Sequence, residues 1–295
     1  MAKKTTLKNK QVSHKKDNKT PKAQPTKVPS IMALIKRSWL EVSTFWRPLL
    51  GITAMYAVLY FVFVMGLSVS DVLQSQIDTS TSRMSQATAA IIDAFSTTYG
   101  GGQSDATALL QMLLFVIASL AFVWALRKLQ ALKAITIRDA FYQGSAQIIP
   151  VLLVSIVLMF TLLPAVLGSS VLAVVLQTGG AQVEVLIITT IAIALLFVSA
   201  LLFTMFWPAY YIASLPQTRP MQALKSALAV TKKRRLSIMR KLIFLGLMVI
   251  VAVMLLVLPF ALLVPASAPY ILYVILFVIF MYCQVYLYEL YRSLL

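Results

Sequence analysis

Residues Pro216–Lys241 read PQTRPMQALKSALAVTKKRRLSIMRK. The stretch holds Arg219, Lys225, Lys232, Lys233, Arg234, Arg235, Arg240 and Lys241, and no acid. On each side lies an apolar run long enough to cross a bilayer. A basic segment between two such runs predicts a connector on the cytoplasmic face, lying against anionic headgroups. Orienting this one connector orients the chain, because successive spans alternate in direction.

Composition points the same way. The chain is 60% hydrophobic and 12% charged, against roughly 25% charged for a soluble domain. Over 295 residues, 26 Lys and Arg stand against 9 acids, a formal net charge of +17. In a soluble protein that excess would suggest nucleic acid. Here basic connectors account for it, and no nucleic-acid partner is expected. Cys283 is the single cysteine, so no intrachain disulfide can form. The first 30 residues contain no apolar core, so a cleaved signal peptide is not expected and the first span serves as the insertion signal.

Working outward from the connector, residues 1–29 are rich in Lys, Thr, Gln and Pro. They have too few large apolar side chains to offset their ordering entropy, which predicts a disordered cytoplasmic tail. Topological charge is its expected role; a specific ribosome, nucleic-acid or protein contact is the alternative. Ser30 is placed to cap a helix in which Ile31, Ile35, Trp39, Val42 and Trp46 recur at helical spacing. This helix is expected to lie at the interface, with Pro48 breaking its register. The spans are expected at about 49–68, 108–126, 148–177, 185–215, 242–264 and 270–291, since about 20 helical residues match a hydrocarbon core. Together with the short helices they make residues 30–295 one all-α, polytopic, six-helix membrane domain. The third run contains Pro164 and Gly168 and should tilt or kink. Trp207, Tyr210 and Tyr211 are expected in an aromatic belt at the inner boundary. Residues 69–107, with Asp71, Asp78, Asp93 and Asp105, form the long external loop, and Met84–Phe95 suggests a helix within it. The connector helix should start at Pro220 and turn Met221, Leu224, Leu228 and Leu236 to one apolar side.

Charge fixes the expected orientation. This topology puts every Lys and Arg except Arg83 on one side, which places both termini in the cytoplasm and the protein in the plasma membrane.

Three inner segments look alike. Ala33-Leu34-Ile35-Lys36-Arg37-Ser38, Ala140-Phe141-Tyr142-Gln143-Gly144-Ser145 and Ala223-Leu224-Lys225-Ser226 each precede a hairpin of spans. They read either as three related units or as what any connector entering a membrane helix tends to look like. The Arg-Pro…Ala-Leu-Lys-Ser pattern, the Lys/Arg cluster after it and the following apolar hairpin resemble the membrane domain of some bacterial glycerophosphodiester phosphodiesterases. They also resemble related uncharacterised six-helix bacterial inner-membrane proteins. In those enzymes the chemistry belongs to a separate soluble barrel, so the resemblance implies a bacterial membrane fold and no catalytic residues.

No catalytic constellation is visible. The only histidine, His14, lies in the tail, and no acid or base sits at the centre of a span. There is no P-loop, no Gly-x-Ser-x-Gly and no paired metal ligands; the loop acids match no EF-hand spacing. The span serines, such as Ser155 and Ser199, have no His or Lys activator in the spans. An enzyme is therefore not expected, nor a cofactor or metal. Lys36, Arg37, Arg219, Lys225, Lys232, Lys233, Arg234 and Arg235 are the candidates for contact with anionic lipid headgroups or a protein partner. Gln111, Tyr282, Gln284 and Tyr286 could line a cavity, or simply bond between helices at about 0.6 kcal/mol each. Tyr282 and Tyr286 share a helix face, and Gln284 points elsewhere. The expected function is a non-enzymatic accessory or organising component, tied to envelope or lipid homeostasis. The alternative is a small-molecule or lipid transporter with a cavity between kinked helices.

Overall fold

Small residues decide which helices of this chain touch. The computed structural model describes residues 29–65, 105–131, 135–178, 182–216, 218–232, 234–263 and 268–294. The tail, most of the external loop with its acids and its Met84–Phe95 helix, the turns at Gly179–Gly180 and 265–267, and Lys233 lie outside the described residues. The helices are α1 (Ile31–Thr44), α2 (Trp46–Tyr60, extended by a π-helical turn to Met65), α3 (Asp105–Gln130), α4 (Ile137–Gly144), α5 (Ile148–Thr178), α6 (Gln182–Ala213), α7 (Pro220–Thr231), α8 (Arg235–Leu263) and α9 (Ala268–Arg292). Six of them, α2, α3, α5, α6, α8 and α9, are long and apolar enough to span a bilayer. The chain is an all-α, multi-pass membrane protein.

Local signals start the short helices. The Ala33 amide donates to Ser30 Oγ at 3.3 Å, capping α1. Thr136 Oγ1 accepts from the Asp139 amide at 3.4 Å, capping α4, and the Thr136 hydroxyl donates to the Asp139 carboxyl. Pro220 occupies the first turn of α7, where its missing N–H costs nothing.

The three short helices then do the same thing in turn. α4 packs on α3, α7 packs on α6, and α1 packs on α9. Each short helix opens a unit and lies on the second span of the unit before it; for α1, that unit is the last. The second spans also meet the first spans of the following units, as α3 with α5, α6 with α8, and α9 with α2. The three units therefore close into a ring. The buried pair on each short helix is spaced by one turn: Leu34 and Ser38, Ala140 and Gly144, Ala223 and Ala227. At Gly144 the approach is closest. A Cβ added there would stand 3.0 Å from Ala121 Cα and 3.2 Å from the Leu120 carbonyl oxygen. In lipid the drive for such contacts is backbone proximity and packing, which small residues permit.

α3 forms the centre of the bundle, with 50% of its apolar window buried, against 11% for α6. α5 and α6 pack mainly on each other. Gly168 lets α6 approach at Ala192 and Leu195, and Ser199 Oγ donates to the Thr161 carbonyl at 2.8 Å. Their outer faces present Leu167, Leu186, Ile193 and Leu196 to the surroundings, a surface suited to acyl chains. α5 runs as one helix through Pro164.

Several sequence expectations change. The break before the first span falls at Phe45, and Pro48 sits in the first turn of α2. Trp39, Trp46, Met221 and Leu236 are exposed, at 66, 51, 64 and 67%. Leu236 belongs to α8, which Arg235 opens, with Lys232 and Arg234 in turns before it. The packed faces of α4 and α7 are their small-residue faces, and that of α1 pairs Leu34 with Ser38; small residues let helix backbones approach closely. Trp207 and Tyr211 are buried and form no belt; Tyr211 stacks on Tyr291 of α9 at 5.2 Å, with Trp207 edge-on at 5.4 Å.

Candidate functional site

The C-terminal ends of α3, α6 and α9 converge with α1 at one end of the bundle. Among the described residues every Lys and Arg lies at this end. Two side chains near the end of α3 organise it. Arg127 donates to the Tyr211 carbonyl at 2.7 Å, the Ser214 carbonyl at 2.9 Å and Ser214 Oγ at 2.8 Å. A cation on the last carbonyls of α6 satisfies groups that have no acceptor role left in the helix and complements the helix dipole.

One turn on, the Gln130 amide donates to Glu41 Oε1 at 2.7 Å and to Glu289 Oε1 at 3.1 Å. One side-chain amide thus bridges carboxyl groups from the first and last described helices. Arg292 approaches Glu289 at 3.5 Å and Glu41 at 4.0 Å, but its guanidinium side chain is 58% exposed, so it holds the pair loosely. Glu289 is buried, and Glu41 Oε2 has no N–H donor among the described residues. Burial pushes the Glu41 carboxyl up to about 7, with the neighbouring Glu289 charge and a side-chain hydrogen bond with Glu289 raising it too, and Gln130 and Arg292 acting against the rise. Beside the pair opens a cleft of about 420 Å³ lined by Arg37, Leu40, Glu41, Glu289, Arg292 and Ser293.

Glu41 reaches this seam because Leu34, Ser38 and Glu41 recur along one face of α1, and that face meets α9. The stripe through Ile31, Ile35 and Trp39 is the more conspicuous one in sequence. Glu289 and Arg292 are visible there only as charges ending a span. The signal for the site was a mixed stripe, Leu-Ser-Glu, on a short helix.

The residues singled out from sequence are distributed as follows. Lys36, Arg37, Arg219, Lys225 and Lys232 are exposed, and Arg234 and Arg235 are half-buried at the turn into α8. They come from α1 and from α7 and its flanks. Of the polar span residues, Gln284 is buried and donates to Ser119 Oγ of α3 at 3.0 Å. Gln111 stands earlier in α3, about 12 Å along the axis from Ser119. Tyr282 and Tyr286 share a face with ring centroids 6.5 Å apart, and Tyr286 is fully buried. Sequence reading did not single out Lys241, which is 2% exposed with no partner for its Nζ among the described residues. Among the described residues no cluster of three His, Cys, Asp or Glu could hold a metal.

No family model, no curated protein and no solved structure matches this chain.

Proposed function

We propose that this chain is a non-enzymatic organising component of a bacterial-type cytoplasmic membrane, with both termini and the three short helices on the cytoplasmic side. In this reading the basic end gathers the anionic lipids of that leaflet, or docks an acidic protein partner there, in the service of envelope or lipid homeostasis. The observation that carries the reading is the repeated use of the short helices. Each buries a pair of residues one turn apart on a neighbouring unit and leaves its bases outside: Lys36 and Arg37 on α1, Arg138 on α4, Lys225 and Lys232 on and beside α7. Three patches around one ring make a basic face rather than a local cluster. Each base near an anionic leaflet is worth about 1 kcal/mol. The resemblance of Arg219–Ser226 and the hairpin after it to bacterial inner-membrane proteins supports the same setting. The bond between Gln284 and Ser119 occupies a polar group that a solute path would need, which favours this reading over a transporter.

The test replaces Lys36, Arg138, Lys225 and Lys232 by Gln together and measures the lipids that co-purify in mild detergent. The anionic fraction should fall severalfold while the total lipid remains. An unchanged anionic fraction, in a variant shown by labelling to keep its orientation, would contradict the proposal.

A further inference from the structure

We propose that the cleft between α1 and α9 binds a zwitterion carrying a primary ammonium and a phosphate, the headgroup chemistry of an ethanolamine phospholipid. The inference rests on the proposed function only in taking this end of the bundle to meet a leaflet's headgroups. The cleft holds about 420 Å³, within the roughly 300–1,000 Å³ of small-ligand sites. Its lining pairs opposite charges. Glu41 and Glu289 supply carboxyl groups, and Arg37 and Arg292 supply guanidinium groups.

The carboxyl side is incomplete. Gln130 satisfies one oxygen of each acid, and buried Glu41 Oε2 is left with the Glu289 carboxyl as its neighbour, a contact that requires a proton held between the two acids. A buried acceptor without a donor is costly, and two adjacent carboxylates more so. Arg292 donates to Glu289 Oε1 at 3.5 Å and stands 4.0 Å from Glu41 Oε1, so it adds nothing at Glu41 Oε2. A primary ammonium suits such a carboxyl pair, because it is compact, carries the opposite charge and offers three N–H donors in place of the shared proton. A quaternary choline group offers none. Arg37, one turn before Glu41 on α1, also lines the cleft and makes none of the ion pairs found among the described residues. Its planar fork suits a phosphate. The two sites face one small volume, so one ligand carrying both charges fills them together.

The test titrates the full chain in detergent with dioleoyl phosphatidylethanolamine, dioleoyl phosphatidylcholine and soluble glycerophosphoethanolamine, reading bound species by native mass spectrometry. Loss of charge-assisted hydrogen bonds should separate the first two lipids by about tenfold or more in affinity. Glu41→Gln should bring phosphatidylethanolamine down to the phosphatidylcholine level, and Arg37→Gln should weaken both alike. Leu40→Trp, at an exposed wall of the cleft, should block binding without touching the Gln130 network, which covers the case of a poorly folded Glu41 variant. Equal binding of the two lipids by the wild type, or a preference that survives Glu41→Gln or Leu40→Trp, would overturn the proposal. Glycerophosphoethanolamine that competes as well as the phospholipid would overturn the lipid as the source and leave a soluble zwitterion. Binding in detergent does not depend on which way the chain crosses a membrane, so failure here is separate from failure of the proposed function.

Discussion

Glu41 shows how one residue links α1, α3 and α9. Its carboxyl faces Glu289 and Arg292 of α9 and Gln130 of α3, with Arg37 on its own helix beside the same cleft. The fold raises it from an ordinary value of 4.5 to about 7. Folded protein therefore holds a proton through a range where the unfolded chain has lost it. The stabilisation this gives is full below pH 4.5 and is lost as pH rises through 7. The seam between α1 and α9 should loosen from pH 5.5 to pH 8, seen as a falling thermal midpoint and faster amide exchange in α1. Glu41→Gln should flatten that dependence; an unaltered slope in the variant would show that another group sets it. Lys241 makes the complementary case. It is a buried cation with no partner among the described residues, on the same α8 face as buried Ile238 and Leu245. Replacing an uncompensated buried charge by an apolar side chain of similar length removes a desolvation cost. Lys241→Met should raise the thermal midpoint by a few degrees, and a fall would mean that the ammonium has a partner in solution.

At the scale of elements, the crossing of α4 over α3 depends on Gly144. A side chain there meets backbone, at Ala121 Cα and the Leu120 carbonyl, and backbone does not yield as a flexible side chain does. Gly144→Leu should cost about 1–3 kcal/mol or more and detach α4. Gly246 is the control: nothing lies within 4 Å of a Cβ added there, so Gly246→Ala should be neutral or gain up to about 1 kcal/mol from helix propensity. Comparable losses at both positions, read from thermal midpoints, would contradict the close crossing.

These elements also mark where sequence reading succeeds and where it stops. The six spans were legible because crossing a bilayer demands about 20 apolar residues without interruption. The caps at Ser30 and Thr136 and the start at Pro220 were legible because they act over three or four residues. The packed faces were not. Periodicity picks out the stripe with the largest apolar side chains, and on α1 and α7 that stripe, with Trp39 and Met221, is exposed and does not report the face that packs on the neighbouring helix. Water would have buried them, but lipid does not. The seam was hidden for another reason: Gln130 meets Glu41 across 89 positions and Glu289 across 159, and no local spacing connects them.

At the scale of the molecule, three similar short segments become three equivalent joints. Each unit hands its second span to the next unit's short helix, and the last hands its own to the first. Closure puts all three short helices at one end, along with every described Lys and Arg. From this geometry comes the proposal of a single basic face on the cytoplasmic leaflet, with the cleft of Glu41 and Glu289 at the seam where the ring closes. The most direct measurement starts from a Cys283→Ser background, since Cys283 is the only thiol. Single cysteines are introduced as Arg37→Cys, Arg138→Cys and Lys225→Cys, with Val183→Cys at the opposite end, and probed with a membrane-impermeant maleimide. In intact cells Val183→Cys should label and the other three should not; in inverted vesicles the pattern should reverse. Labelling of any of the three short-helix positions from outside intact cells would contradict a common cytoplasmic face.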